Sequence, residues 1–342
     1  MNLKPVSEIL PNTKVIIRLD TDLPIENGQI LDNSRLIKSL PTLKLLLDKN
    51  CKLLIIGHRG RPQGIDNNLS LKQAYVELMA LLEKGQNIYD SVFIDDLNDA
   101  KKIDLALAEN NMVFLENLRF WPGEQNNDPK FLENLISLVD VFVNDAFAVA
   151  HRKQASIMLH HKLPAFYGIN FIAEANAISK LIVNPDRPLT IILGGAKEDK
   201  LKYLPELEKI ADQILIGGKL PKLIDQEILK RVQDDKIRVA ELDESGFDLS
   251  QNDIEKFKEI ILQSRTIIWA GAMGMYESED DRNGTEEIAK AVAESNAYKV
   301  IAGGDTTASI VNLGLKDRID FICSGGGVIL EFLTKDTLPA WE

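Results

Sequence analysis

The stretch KVIIRLD, residues 14–20, is a short β-branched run that ends on a carboxylate. It is followed at residues 34–49 by a segment in which Leu36, Leu40, Leu43 and Leu47 recur at helical spacing. The pattern then restarts at residues 52–58. Strand, amphipathic helix and strand again make the repeating unit of a parallel sheet covered by helices on both faces. Further runs fall at residues 92–95, 112–115 and 140–144. After a helical stretch around residues 173–182 they resume at 189–193, 213–216, 237–240, 266–269, 299–302 and 321–323. The fold class expected is therefore α/β, with two doubly wound parallel-sheet (Rossmann-like) domains joined by an interdomain helix. The boundaries expected are residues 1–170, 171–184 and 185–342, with the last residues returning toward the N-terminal domain.

Composition agrees with two cores. At 342 residues, 45% hydrophobic and 27% charged, the chain exceeds what one compact core holds. The opening MNLKPVSEILPNTK has no basic segment followed by an apolar one, and no apolar run approaches a bilayer span, so a cytoplasmic protein without a membrane partner is expected. Cys51 and Cys323 lie in apolar segments near opposite ends of the chain, which suits buried, reduced thiols. A net charge of −12 argues against nucleic acid as a partner, because phosphate backbones need a broadly basic surface. Small anions remain open to a local basic cluster or to backbone N–H groups.

In doubly wound sheets ligands bind beyond the carboxyl ends of the strands, so the residues that end each run carry the information. In the first half these are side chains with chemistry: Asp20, His58, Arg119 and the pair Asn144 and Asp145, with Arg61 and Arg152 just downstream. In the second half they are glycines: Gly194 and Gly195, Gly217 and Gly218, Gly271, Gly303 and Gly304, and the triplet from Gly325 to Gly327. Converging guanidinium groups grip a small, multiply charged anion, whereas glycines let backbone N–H groups and helix N-termini close on phosphates. An anionic substrate on the first half and a nucleotide on the second is the division expected.

The segments RLDTDLP (18–24), HRGRP (58–62), LENLRFWPGE (115–124) and VNDAFAVAHR (143–152) resemble, in order and spacing, the phosphoglycerate kinase patterns R-x-D-x-N-x-P, H-x-G-R-P, L-E-N-x-R-F and N-D-A-F-x-x-x-H-R. The resemblance implies that 3-phosphoglycerate or 1,3-bisphosphoglycerate meets Asp20, Arg35, His58, Arg61, Arg119 and Arg152, and that Arg35 also stabilises the transferring phosphoryl group. Asp22 stands where the family has a substrate-contacting asparagine. A carboxylate there repels an anion unless it is turned away or protonated.

In the second half LGGAKEDK (193–200) resembles G-G-A-K-x-x-D-K with one residue missing, so Lys197 and Lys200 stand at i, i+3 instead of i, i+4. AGGDTTASI (302–310) resembles the segment that supplies the family's metal-binding aspartate. Asp305 then inherits a Mg²⁺ contact and Gly303, Gly304 and Thr306 the phosphates of ATP or ADP; by residue type alone, Asp305 is also a good helix N-cap. CSGGG (323–327) matches the last glycine triplet, which points Gly326 at the transferring group. WAGAMGMYE (269–277) resembles W-N-G-P-M-G-x-F-E, giving Glu277 the ribose, with Ala270 and Ala272 in place of Asn and Pro. IGGK (216–219) keeps Gly217 and Gly218 and puts Lys219 where the family has a third glycine.

The implied activity is phosphoryl transfer to a carboxyl acceptor with Mg²⁺ and ATP or ADP, in a monomer whose halves close to bring Arg35, Lys197, Lys200, Gly304 and Gly326 around the phosphoryl group. A dehydrogenase of similar architecture is excluded by the absence of G-x-G-x-x-G after residues 14–20 and 189–193. A homologue that binds ligands or serves as a scaffold without turnover stays open on Lys219, Ala270 and the Lys197 to Lys200 spacing.

Overall fold

The computed structural model describes residues 3–84, 88–224, 236–335 and 337–342. Two compact units emerge, Met1–Ala175 with Thr337–Glu342, and Asn176–Asp336. The helix Ile169–Val183 runs through the point of division and begins four residues before the apolar periodicity becomes legible.

The first unit holds β1 (Lys14–Arg18), a small antiparallel pair β2 (Ile25–Glu26) and β3 (Gln29–Ile30), β4 (Lys52–Ile56), β5 (Ser91–Ile94), β6 (Met112–Leu115), β7 (Val141–Asn144) and β8 (Ala165–Tyr167). Its six-stranded parallel sheet runs β5-β6-β4-β1-β7-β8. The chain leaves β1 toward β4 on one side and returns to β7 on the other, so the topology switches between β1 and β7. Alternate residues of β1 enter opposite cores. Val15 and Ile17 pack with Leu53, Leu36, Leu43 and Leu78, while Ile16 packs with Leu54, Ile103, Leu107 and Phe142. Leu36, Leu43 and Leu47 of the helix Ser34–Asp48 face the first of these cores, as their spacing implies, and Arg35 sits at that helix's first turn. The three-residue β8 and the pair β2 and β3 are too short to show any period in sequence.

The second unit contains β9 (Leu189–Leu193), β10 (Gln213–Ile216), β11 (Ile237–Val239), β12 (Thr266–Ala270), β13 (Tyr298–Ala302) and β14 (Phe321–Cys323), in the parallel order β11-β10-β9-β12-β13-β14. Here the switch lies between β9 and β12. Trp269, Ile267, Ile192, Leu215 and Ile301 form one face of the sheet and pack against Ile254, Phe257 and Ile261 of the helix Gln251–Gln263 and against Ile288 and Val292 of Asn283–Glu294. Cys51 and Cys323 are both buried. No helix among the described residues is long and apolar enough to cross a membrane.

Candidate active site

Arg18, the last residue of β1, stands in register with Asn144 of β7, at the switch point of the first sheet. It is fully buried. Nη1 donates to Leu19 O at 2.7 Å and Nε to Ser156 Oγ at 3.0 Å, while Nη2 lies 2.6 Å from His58 Nδ1. Ser156 in turn donates from Oγ and from its backbone N to the two carboxylate oxygens of buried Glu124, at 2.6 and 2.9 Å. Two residues beyond Arg18, Asp20 accepts from Arg35 Nη1 on both oxygens, at 2.7 and 2.6 Å. Asp22 is turned toward the backbone: its Oδ1 accepts from Gly60 N at 2.8 Å, and its Oδ2 lies 3.8 Å from His58 Nε2. Arg119 donates from Nη1 to Gly60 O at 2.6 Å.

The expected cations share one field. Arg35, Arg119 and Arg152 all act on His58, Arg61 acts on Arg152, and Asp20 and Asp22 act on both Arg35 and Arg152. The ion pair with Asp20, more than any other contact, raises the Arg35 pKa above its ordinary value. Burial first, then Arg152 and Arg18, pulls Arg119 down to about 9, so it still carries its charge at neutral pH. Burial and then the positive field of Arg61 lower Arg152. His58 is 1% exposed, and burial reinforced by Arg18 holds it well below the ordinary imidazole value. Arg61 is exposed and Arg35 and Arg152 are half-buried, so the cluster has charged groups that a solute can reach.

Arg18, Ser156 and Glu124 are absent from the residues expected on sequence grounds. The legible signal was an arginine inside an otherwise apolar run, since an unpaired charge is almost never fully buried.

In the second unit Lys200 Nζ donates to Gly194 O at 2.6 Å and Ala270 O at 3.0 Å, the carbonyls at the ends of β9 and β12. It thus bridges the switch point of the second sheet. A Cβ on Gly271, whose φ is 104°, would lie 2.4 Å from that nitrogen, so the ammonium fits only because residue 271 is glycine. Desolvation brings Lys200 down to about 8 against the opposing pull of Asp305 and Asp199. Lys197 is exposed and precedes a 3₁₀ helix, Glu198–Tyr203, so the two lysines stand one tight turn apart and do not stack along an α-helical face.

The helix Gly304–Asn312 is capped by Gly303 with no side-chain bond, so Asp305 does not serve as the N-cap that its type suggests. It is exposed in the first turn, and its charge and that of Glu277 act on Tyr276. Thr306 is buried, and its Oγ1 accepts from Gly271 N at 2.8 Å, which fixes the start of this helix to the end of β12. The helix Gly326–Thr334 begins beside it, since a Cβ on Gly303 would lie 3.8 Å from Gly326 N. Around Gly217 and Gly218 the contacts are backbone to backbone: Gly218 N donates to Met273 O at 2.9 Å, Lys219 N to Gly195 O at 3.0 Å and Gly195 N to Ala272 O at 2.6 Å. Two helix N-termini, an exposed carboxylate and two lysines suit a magnesium polyphosphate.

The phosphoglycerate kinase family model matches residues 7–224 and 221–336. The chain belongs to the phosphoglycerate kinase family. It is 34% identical to the phosphoglycerate kinase of Dictyoglomus turgidum over 97% of this chain and 95% of that protein, and 33% identical to that of Rubrobacter xylanophilus over 96% and 95%. The phosphoglycerate kinase structure from Pyrococcus horikoshii superposes with a TM-score of 0.82 at 27% identity, and that from Coxiella burnetii with 0.76 at 28%; each comparison covers 99% of this chain and 98% of the other. As a phosphoglycerate kinase, the protein carries out reversible phosphoryl transfer between 1,3-bisphosphoglycerate with ADP and 3-phosphoglycerate with ATP.

Proposed function

We propose that the first unit, with residues 1–170 as its substrate-binding domain, holds 3-phosphoglycerate on Asp20, Arg35, His58, Arg61, Arg119 and Arg152, and that residues 185–342 hold the nucleotide. The chemistry is that of a phosphotransferase with a carboxyl group as acceptor, working as a soluble cytoplasmic monomer. The observation that carries this reading is the division of labour at the two switch points, where one sheet ends in a shared field of arginines and the other in glycines, lysines and helix N-termini.

The residues present fit Mg²⁺ bound with a nucleotide. Among the described residues no three His, Cys, Asp or Glu side chains form a protein-only metal cage. Magnesium needs none, since one carboxylate with water and substrate phosphates is its usual shell, and exposed Asp305 provides that carboxylate. When bound, the ion neutralises charge on the phosphates. Lys197 and Lys200, with the backbone of Gly194, Gly195, Gly217, Gly218, Gly303, Gly304, Thr306 and Gly326, orient those phosphates, and Glu277 binds the ribose. The acceptor is already a carboxylate, so no general base is required, and positioning together with charge stabilisation supplies the rate.

In a coupled assay with Mg–ATP and 3-phosphoglycerate, Arg35→Ala should lower kcat by roughly a hundredfold or more. A variant as active as the wild type would refute the role of Arg35. Calorimetry with ADP, with and without Mg²⁺, tests the second unit; no heat at millimolar nucleotide would favour a non-catalytic homologue.

A further inference from the structure

Arg18 and His58 meet at 2.6 Å in a place from which neither can retreat, for Arg18 is fully buried and His58 is 1% exposed. A guanidinium group has only donors, so His58 Nδ1 must receive this bond with its lone pair. An imidazolium would set two N–H groups and two like charges against each other at that distance. The ring therefore has one proton, and it is on the other nitrogen. We propose that Arg18 is a positioning residue that fixes His58 as an imidazole protonated at Nε2 alone, so that the ring offers an anionic substrate a hydrogen-bond donor and no charge.

The supports of Arg18 make the tautomer rigid. Leu19 O holds Nη1 and Ser156 Oγ holds Nε, while Glu124 anchors Ser156 through two bonds and balances the buried charge of Arg18. On the ring's own segment, the His58 carbonyl accepts from Thr21 Oγ1 at 2.9 Å. The charged groups that face the imidazole are Arg18 from β1, Arg35 from the helix Ser34–Asp48, Arg119 from the turn after β6, Arg152 from the segment after β7 and Asp22 from the segment after β1. Asp22 is the only acid among them. At 3.8 Å its carboxylate is beyond hydrogen-bond reach of Nε2, which leaves that donor available. Burial and the four arginines act in the same direction as the geometry. The identity of the anion that meets Nε2 rests on the reading proposed above.

The test is ¹⁵N NMR of the free, full-length protein between pH 6 and 8, with the His58 resonances assigned through His58→Gln. The expected spectrum has a pyrrole-type Nε2 and a pyridine-type Nδ1 that do not change with pH. A protonated Nδ1, or an imidazolium near pH 7, overturns the proposal. Arg18→Met should let His58 titrate and should weaken 3-phosphoglycerate binding about tenfold, the cost of one hydrogen bond. If that variant does not fold, Ser156→Ala, which removes only the Nε anchor, should give the same changes in smaller measure, and a His58 that stays locked in it counts against the supports. The spectrum of the free protein does not depend on substrate. An Nε2–H ring whose signals do not move when 3-phosphoglycerate is added would sink the substrate assignment and leave the tautomer standing.

Discussion

Replacing Asp145 by Asn should stabilise the first unit, and by an amount that grows with pH. Asp145 follows β7 and is 2% exposed. Its Oδ1 accepts from Phe171 N at 3.0 Å, the Thr42 hydroxyl donates to the carboxyl, and Oδ2 is buried with no hydrogen-bond partner among the described residues. Desolvation outweighs the donors and lifts the carboxyl from 3.8 to about 8. Between those values the folded state binds the proton and the unfolded state does not, so stability falls as pH rises, by roughly 1.4 kcal/mol per unit. The cost is about 2 kcal/mol at pH 5 and about 4 kcal/mol at pH 7. Asparagine is neutral in both states and keeps an acceptor for Phe171 N–H. The stability gap between Asp145→Asn and the wild type should therefore widen in the variant's favour by about 3 kcal/mol from pH 5 to pH 7. Urea unfolding followed by tryptophan fluorescence measures it, with Trp121 and Trp341 reporting on this unit. A gap that does not change with pH would refute the reasoning, whatever its size.

Asp22→Asn keeps the acceptor for Gly60 N and removes a negative charge from the arginine field, so KM for 3-phosphoglycerate should fall on the order of threefold in steady-state assays; a higher KM would show that the cluster needs that carboxylate. Gly218→Ala should cost the second unit roughly 2–5 kcal/mol in urea unfolding. Its φ is 62°, and the added Cβ would lie 2.6 Å from Gly195 N and 2.8 Å from Ala272 O. Lys200, at about 8, loses its charge as pH rises through that value, so ADP affinity measured calorimetrically should drop about tenfold from pH 7 to pH 9, and Lys200→Met should be weak and flat across that range. A wild-type profile flat to pH 9 would mean that Lys200 does not meet the phosphates.

The sheets were legible because each strand is a short apolar run flanked by helical periodicity, and the ends of β6, β9, β10 and β14 fall where the runs end. The strand ends also pointed to the candidate site, since a doubly wound topology must bring the ends of one sheet together. What sequence did not show was contact. Nothing in residues 14–20 says that Arg18, the last residue of β1, turns inward onto His58 while Asp20, two residues past the strand end, takes Arg35; those partners come from segments elsewhere in the sequence. Likewise the deletion before Asp199 could be seen, but not its result, in which Lys200 spans two strand ends. That position depends on Gly271, seventy-one residues away. Residue type favours Asp305 as the cap, but the backbone turn at Gly303, with a φ of 100°, takes that place.

The two units face the same electrostatic problem and solve it with groups of different acidity. In the first, Arg119 is pulled down to about 9 and keeps its charge at neutral pH, and the histidine of the cluster is locked against protonation by Arg18, so neither changes its charge between pH 6 and 8. In the second, the backbone donors of two helix N-termini do not titrate at all, and among the described residues the strongly shifted cation is Lys200 at about 8. Among the groups proposed to meet a ligand, titration near pH 8 is thus that of Lys200, while Asp145, also at about 8, titrates in the core of the first unit and acts on its stability. Where the first unit stays folded, an alkaline loss of activity that begins near pH 8 should then enter through KM for the nucleotide, while KM for 3-phosphoglycerate holds level until Arg119 loses its charge at higher pH.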